Sequence, residues 1–324
     1  MTGYMKWYSV LYIGIILFFA GCGTDNVKKH IKRLDLCVYG YNDMSDEERM
    51  AVLDSMGPGL GAMAFLMGDS VDGASLERYS WSKAVKIFTP DIIRRLPSLD
   101  SVERVLGKVD RCMQELLPEF PDVDTYGIVS PFNQSVFIVD SVMLIGLNHY
   151  LGYDYEGYSN FDAYKKRTKD VRFLPYDIVE AMVSSSYPYL PSHNATVLER
   201  MMYHGALIYA KMNIVPDASL ADALGYTDGQ LDWVQRNSRE IWNAIIERRL
   251  LYSVSLSDAD RLLNPAPATM IVHPECPGRV GRYIGYMIVC AYSRNNAGVT
   301  LPVLLSPDFY ASPVSLVKSR YNGL

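Results

Sequence analysis

The side chains able to do chemistry in this chain are few, and their spacing excludes more than it suggests. Histidine occurs at five positions: His30, His149, His193, His204 and His273. A helix-borne zinc hydrolase needs two histidines one turn apart, with a glutamate beside the first to activate water. No pair of the five has that spacing. In the segment Tyr176–Ser186 the candidate carboxylate is Glu180, with Val179 before it and Val183 where a second ligand would stand. His204, in Tyr203-His204-Gly205-Ala206, falls where a third ligand is wanted. One imidazole and one carboxylate do not hold catalytic zinc, so the expectation is a chain with no catalytic residues, no metal and no cofactor. Ser184, Ser185 and Ser186 lack the Gly-x-Ser-x-Gly elbow of a serine hydrolase. Gly278-Arg279-Val280-Gly281 follows prolines rather than a strand, which argues against a dinucleotide loop. Gly205, Gly281 and Gly285 read as small positions that admit another helix. Arg279 and Arg282 read as partners for Glu240 or Glu247, or for an anion. Glu180, His204 and Arg279 are left as candidate cleft-binding residues.

The N-terminus carries a separate chemistry. Lys6 precedes an apolar run from Val10 to Ala20, the length of a secretory signal core and short of the ~20 residues of a spanning helix. The run ends in Phe19-Ala20-Gly21-Cys22, which resembles a bacterial lipoprotein box, with small residues before a thiol that accepts diacylglycerol. The expected organisation is a signal peptide over 1–21, a tether over 22–30 lipidated on Cys22, and a single domain over 31–324. Membrane lipid is thus the first expected partner, and several acyl chains at one residue anchor stably. Gly23 stands where an aspartate would signal inner-membrane retention, which points to the outer membrane. A net charge of −5 argues against nucleic acid, and the basic cluster Lys165, Lys166, Arg167 and Lys169 reads as a solvated loop. Cys37, Cys112, Cys276 and Cys290 have no CxxC spacing, and the sequence does not choose among their pairings.

The elements that must position the cleft are legible in outline. Ile31–Leu36 reads as a strand, Ser45 with Glu48 as a capping box for a helix through Leu53, and the glycine-rich stretch 57–62 as a loop. Asp100 reads as the cap of a helix with an apolar stripe at 3.6-residue spacing, ended by Pro118. Short β runs follow at Gly127–Val129, Ser135–Val139 and Val142–Leu147, with His149 closing the turn after them. Beyond Pro175 the pattern is helical, over Tyr176–Ser186, Thr196–Lys211, Gly229–Tyr252 (capped by Thr227 and Gln230) and Gly281–Ala291. The proline-rich stretch 264–277 is a loop, and short elements at Val303–Leu305 and Leu316–Ser319 close the chain. The fold class expected is α+β, a small twisted sheet packed on helices with a mainly helical C-terminal half.

Several strings fall into one pattern: Lys32-Arg33-Leu34-Asp35, Leu147-Asn148-His149-Tyr150-Leu151-Gly152, Asp228-Gly229-Gln230-Leu231-Asp232-Trp233, and Cys276-Pro277-Gly278-Arg279-Val280-Gly281-Arg282-Tyr283-Ile284-Gly285-Tyr286. The pattern resembles the gliding-motility lipoprotein GldB family of Bacteroidota, from about residue 31 to the C-terminus. The resemblance implies an envelope lipoprotein associated with gliding and with the secretion machinery that gliding uses. That family is in turn distantly similar to zincin-type metallopeptidase domains, which implies a zincin-like layout with a cleft between Tyr176–Ser186 and Thr196–Lys211 and Arg279 nearby. The expectation is therefore a non-catalytic, zincin-like interaction module with an envelope protein as partner. A hydrolase with catalytic groups not yet identified is the alternative, as is a glycan- or solute-binding lipoprotein suggested by the 24 tyrosines.

Overall fold

The computed structural model describes residues 27–68, 73–118 and 120–323. The signal segment and Cys22 lie outside the described residues. In chain order the elements are β1 (Ile31–Arg33), α1 (Leu34–Gly40), α2 (Asp46–Met67), α3 (Gly73–Ser80), α4 (Lys83–Arg95) and α5 (Asp100–Leu116). Next come β2 (Asp124–Ile128), β3 (Val136–Val139), β4 (Val142–Gly146) and α6 (Ala163–Lys166). The C-terminal half holds α7 (Leu174–Ser186), α8 (Val197–Ile214), α9 (Leu220–Leu224), α10 (Asp228–Arg236), α11 (Ser238–Glu247), α12 (Leu256–Leu263) and α13 (Val280–Asn295). Three short helices finish it: α14 (Leu301–Leu304), α15 (Pro307–Tyr310) and α16 (Pro313–Ser319). The class is α+β, with a small mixed sheet and a helical C-terminal half. Among the described residues no helix is long and apolar enough to cross a membrane.

The sheet has the order β1-β2-β4-β3, parallel at the first two pairings and antiparallel at the last. β3 and β4 form a hairpin whose register runs from Val136 opposite Ile145 to Val139 opposite Val142. β4 is buried along its whole length, as expected of an apolar strand covered on both faces. Strand β1 is shorter than its apolar run suggests. Arg33 grips Asp35 through two bonds of 2.8 and 2.7 Å, and Asp35 is buried. That local pair turns the chain into α1 at Leu34, where the sequence pattern alone continues as strand. Residues 27–30, expected as tether, lie along α5: Lys29 N–H donates to the Glu103 carbonyl at 3.0 Å, and Ile31 N–H to the Glu103 carboxylate at 2.9 Å.

Two further expectations are corrected. The stretch 57–62 is helical, the continuation of α2, despite Pro58 in its interior. Helix persists there because Gly59 lies on the Tyr126 ring of β2. A side chain on Gly59 would start 2.5 Å from the Tyr126 ring, and Leu60, Ala62 and Met63 are buried. Conversely, the segment 229–252 is two helices. Asn237 breaks it: its side chain donates to the Trp233 carbonyl at 2.8 Å, and its own backbone leaves the helical region. Asparagine's ability to bond its own helix backbone is why it favours such breaks. Thr227 and Ser45 both form the complete capping boxes read from the sequence.

The central helix pair is α8 and α13. A side chain on Gly285 would overlap the Met201 carbonyl, and one on Gly205 would overlap the Gly285 backbone. The two glycines face each other and let two backbones touch. Gly281 faces Leu262 and Leu263 of α12 instead. The tyrosines serve mainly as core: Tyr126, Tyr150, Tyr158, Tyr283 and Tyr310 are among the largest fully buried side chains. Cys37, Cys112, Cys276 and Cys290 are free thiols.

Candidate functional site

Where α7, α8 and the N-terminus of α13 meet the β3 end of the sheet, a pocket of about 420 Å³ opens, lined in part by Ser135, His149, Lys169, Asp177, Glu180, Lys211, Arg279 and Arg282. Helix α7 starts with Pro175 in its first turn, where the missing N–H costs nothing. Its pocket face carries Asp177 and Glu180, three residues apart and therefore adjacent on the helix surface. Val179 and Val183 are fully buried. Helix α8 is capped by Thr196, whose hydroxyl accepts from Glu199 N–H at 3.2 Å. It is largely apolar, yet Lys211 in its last turn is buried, with a side chain 5% exposed.

Glu180 is the electrostatic hub. Lys211 Nζ bonds one carboxylate oxygen, and Arg282 Nη1 lies 3.2 Å from the other. Burial pushes this carboxyl up, but the Lys211 ammonium and then the Arg282 guanidinium outweigh it and hold the group well below the usual carboxylate range. Arg282 also donates to the Leu263 carbonyl at 2.9 Å. The expected pairing of Arg279 and Arg282 with Glu240 or Glu247 is thus overturned: both glutamates are exposed on α11, while Arg282 turns inward to Glu180. Asp177 accepts from Tyr150 at 2.8 Å and Ser135 at 3.1 Å through one oxygen. Burial raises its pKa, against the nearby Lys211 charge.

Arg279 sits just before α13 with φ of 65°, a left-handed conformation that costs a non-glycine residue about 1 kcal/mol or more. Its Nη1 donates to the Leu224 carbonyl at 3.0 Å, and its Nε is buried with no hydrogen-bond partner. Burial, then repulsion from Arg282, pulls its pKa down to about 10. Lys169, read from the sequence as part of a solvated basic loop, is instead turned into the pocket. Its Nζ lies 2.8 Å from His149 Nδ1 and 5.3 Å from the Phe132 ring centre, and burial lowers it to about 8.

The structure therefore brings Glu180 and Arg279 to one pocket, while His204 lies behind it. His204 is close enough to feel Glu180 and Arg282, but its Nδ1 is buried without a partner and the ring is not part of the pocket wall. Lys169, Asp177, Lys211 and Arg282 belong to the site and were not among its sequence candidates. A signal for one of them was present: Asp177 shares one face of an otherwise apolar helix with Glu180, where paired carboxylates need a partner. As donors for zinc the residues do not fit. Glu180 is bound by two cations, and among the described residues no three histidine, cysteine or acidic side chains converge.

Both imidazoles give the fold an acid-sensitive window. His149 falls to about 3 because burial disfavours the imidazolium, with the Lys169 charge adding to it. With Lys169 donating to Nδ1, the network assigns the proton to Nε2, which donates to the Pro131 carbonyl at 3.0 Å. His204 also falls to about 3, through burial and then Arg282. In the unfolded chain both titrate near ~6.5, so between about 6.5 and 3 the unfolded state binds more protons and stability falls as pH falls. From pH 7 to pH 5 each histidine is expected to remove about 2 kcal/mol. Urea midpoints measured across that interval should drop, and drop less in His204→Leu. A flat profile would contradict the assignment of both rings as neutral.

No curated protein and no solved structure matches the chain. A family model does match, over residues 24–322, and its description is "Gliding motility protein GldB".

Proposed function

Because the chain belongs to the gliding motility protein GldB family, we propose that it works as a lipid-anchored, non-catalytic module that holds an envelope partner through the pocket between α7, α8 and α13. Membership itself associates it with gliding-motility lipoproteins and the cell envelope. The finer reading has Cys22 acylated after removal of 1–21, residues 31–324 as one zincin-like domain, and an outer-membrane location favoured by Gly23.

The observation that carries the non-catalytic part is the state of Glu180. In a zinc hydrolase that carboxylate must be free to take a proton from a metal-bound water whose pKa the metal has lowered to ~7. Here it is tied to Lys211 and Arg282, and with a pKa below the usual range it is a poor proton acceptor at neutral pH. Val179 and Val183, at the positions of the two ligand histidines, offer no lone pair and are buried. The zincin-like layout enters as the ancestry of such a cleft, with the metal's positive charge replaced by two side-chain cations.

One preparation tests both halves. The chain is purified from its own envelope after metabolic labelling with a fatty acid, alongside Cys22→Ser. Label is expected on the parent and absent from the variant, since a hydroxyl does not replace the thiolate in thioether formation. Elemental analysis after incubation with zinc and dialysis is expected to find none held stoichiometrically. Parental labelling of Cys22→Ser would remove the anchor. One zinc per chain, lost in His204→Ala, would restore the hydrolase.

A further inference from the structure

The four cations of the pocket are not equivalent. Lys211 and Arg282 are satisfied by Glu180. Arg279 and Lys169 have no carboxylate within 4.0 Å among the described residues; their polar contacts are the Leu224 carbonyl and the neutral His149 ring. Two charges withdrawn from water without a carboxylate in contact are expensive in isolation; both line the pocket, where Asp177 acts on each from a distance. Gly225, with φ of +71°, leaves the Arg279 Nη1 its place: a Cβ there would start 2.4 Å from it.

We infer that this pocket takes the carboxylate of a small organic ligand, paired with Arg279 and drawn in by the second uncompensated charge of the lining, Lys169. With Nη1 engaged by the Leu224 carbonyl and Nε sealed from solvent, Nη2 is the donor the guanidinium offers to a carboxylate oxygen. A carboxylate is the fitting anion because Asp177, Glu180 and Asp222 also line the pocket. Each opposes further negative charge, so a monoanion is accepted more readily than a phosphate dianion. The volume lies within the range of small-molecule sites. The inference rests on the reading of the pocket as a binding site; the anchor and the absence of zinc are tested separately by lipidation and elemental analysis, so failure of the anion site leaves them standing.

The test is calorimetric titration of the full chain in detergent with N-acetyl-alanyl-alanine, its C-terminal amide, and inorganic phosphate. The free acid is expected to bind saturably at one site, and the amide at least about tenfold more weakly, the worth of one charge-assisted contact. Arg279→Gln is expected to weaken the acid by a similar factor and Lys169→Met by a smaller one, with circular dichroism and the thermal midpoint identifying which variants remain folded. Equal binding of acid and amide would overturn the proposal, as would parental affinity in a folded variant of either residue. Tighter binding of phosphate than of the acid would overturn the carboxylate assignment, and no saturable heat with any probe would overturn the anion site.

Discussion

Gly285→Ala is expected to be the most damaging single-methyl change in this fold. The added carbon falls inside the contact radius of the Met201 carbonyl, and Gly205 lies directly across. Neither neighbour is a flexible side-chain end that could swing away, so relief requires α8 and α13 to move apart. Their separation would open the packing of Met201, Ile284 and Ile288, all fully buried. Overpacking of this kind costs about 3 kcal/mol, or roughly 6 °C in thermal midpoint. Gly61→Ala supplies the contrast. That glycine is in the helical run of α2, is followed by Ala62 rather than a proline, and has nothing within 4 Å of a new Cβ beyond its own helix and chain neighbours, so alanine should add stability, by roughly 0.5–1 kcal/mol. Thermal melts of the two variants should shift in opposite directions. Equal and small shifts would mean the helices tolerate separation, and the close crossing would lose its structural weight.

The second large effect is at Lys211. Lys211→Met keeps the apolar stem that α8 needs but leaves Glu180 with Arg282 alone. Breaking a buried pair by removing one partner costs about 3–5 kcal/mol, because the remaining charge loses its compensation; Glu180 is 30% exposed and Arg282 remains beside it, so the low end applies. Glu180→Gln should also destabilise, by stranding the Lys211 ammonium. The double variant should lose less than the sum of the two, with the difference giving the coupling. Urea denaturation of the four proteins in that cycle measures it. Strict additivity would show that the contact seen between the two groups contributes nothing, and the proposal that cations have replaced a metal at Glu180 would lose its support.

What the sequence discloses and what it hides divide along the range of the interactions. Capping boxes at Ser45 and Thr227 are read correctly because the donor and acceptor lie three residues apart. The stripe over Val102–Leu117 and the first-turn Pro175 are legible for the same local reason. The helix through 57–62 is illegible because local propensity opposes it; the Tyr126 ring that rewards it is supplied by β2, far along the chain. Arg282 and Glu180 are 102 residues apart, so nothing in either segment announces the pair. Lys169 was hidden by its company: in a run with Lys165, Lys166 and Arg167, composition cannot say which side chain turns inward. Lys165 pairs with Asp162 at the surface, while Lys169 stacks beneath Phe132 and Phe161.

The strapping of residues 27–30 along α5 has a mechanical meaning. With lipid on Cys22, only the five peptide units to Val27 stand between the acyl chains and the first point of attachment, a reach of at most about 18 Å. Lys28 is then pinned to Asp100 at 2.6 Å, Lys29 to Asp110 at 3.6 Å and also to Asp122, and Ile31 enters the sheet. Gly107 lets the Val27 backbone lie flush on the helix. If Cys22 is acylated as proposed, such a leash would keep the α5 side of the body near the bilayer and limit its tumbling. A pull between membrane and body would then enter at α5 and β1, load these ionic and backbone contacts one after another, and reach the sheet before the helices that frame the pocket.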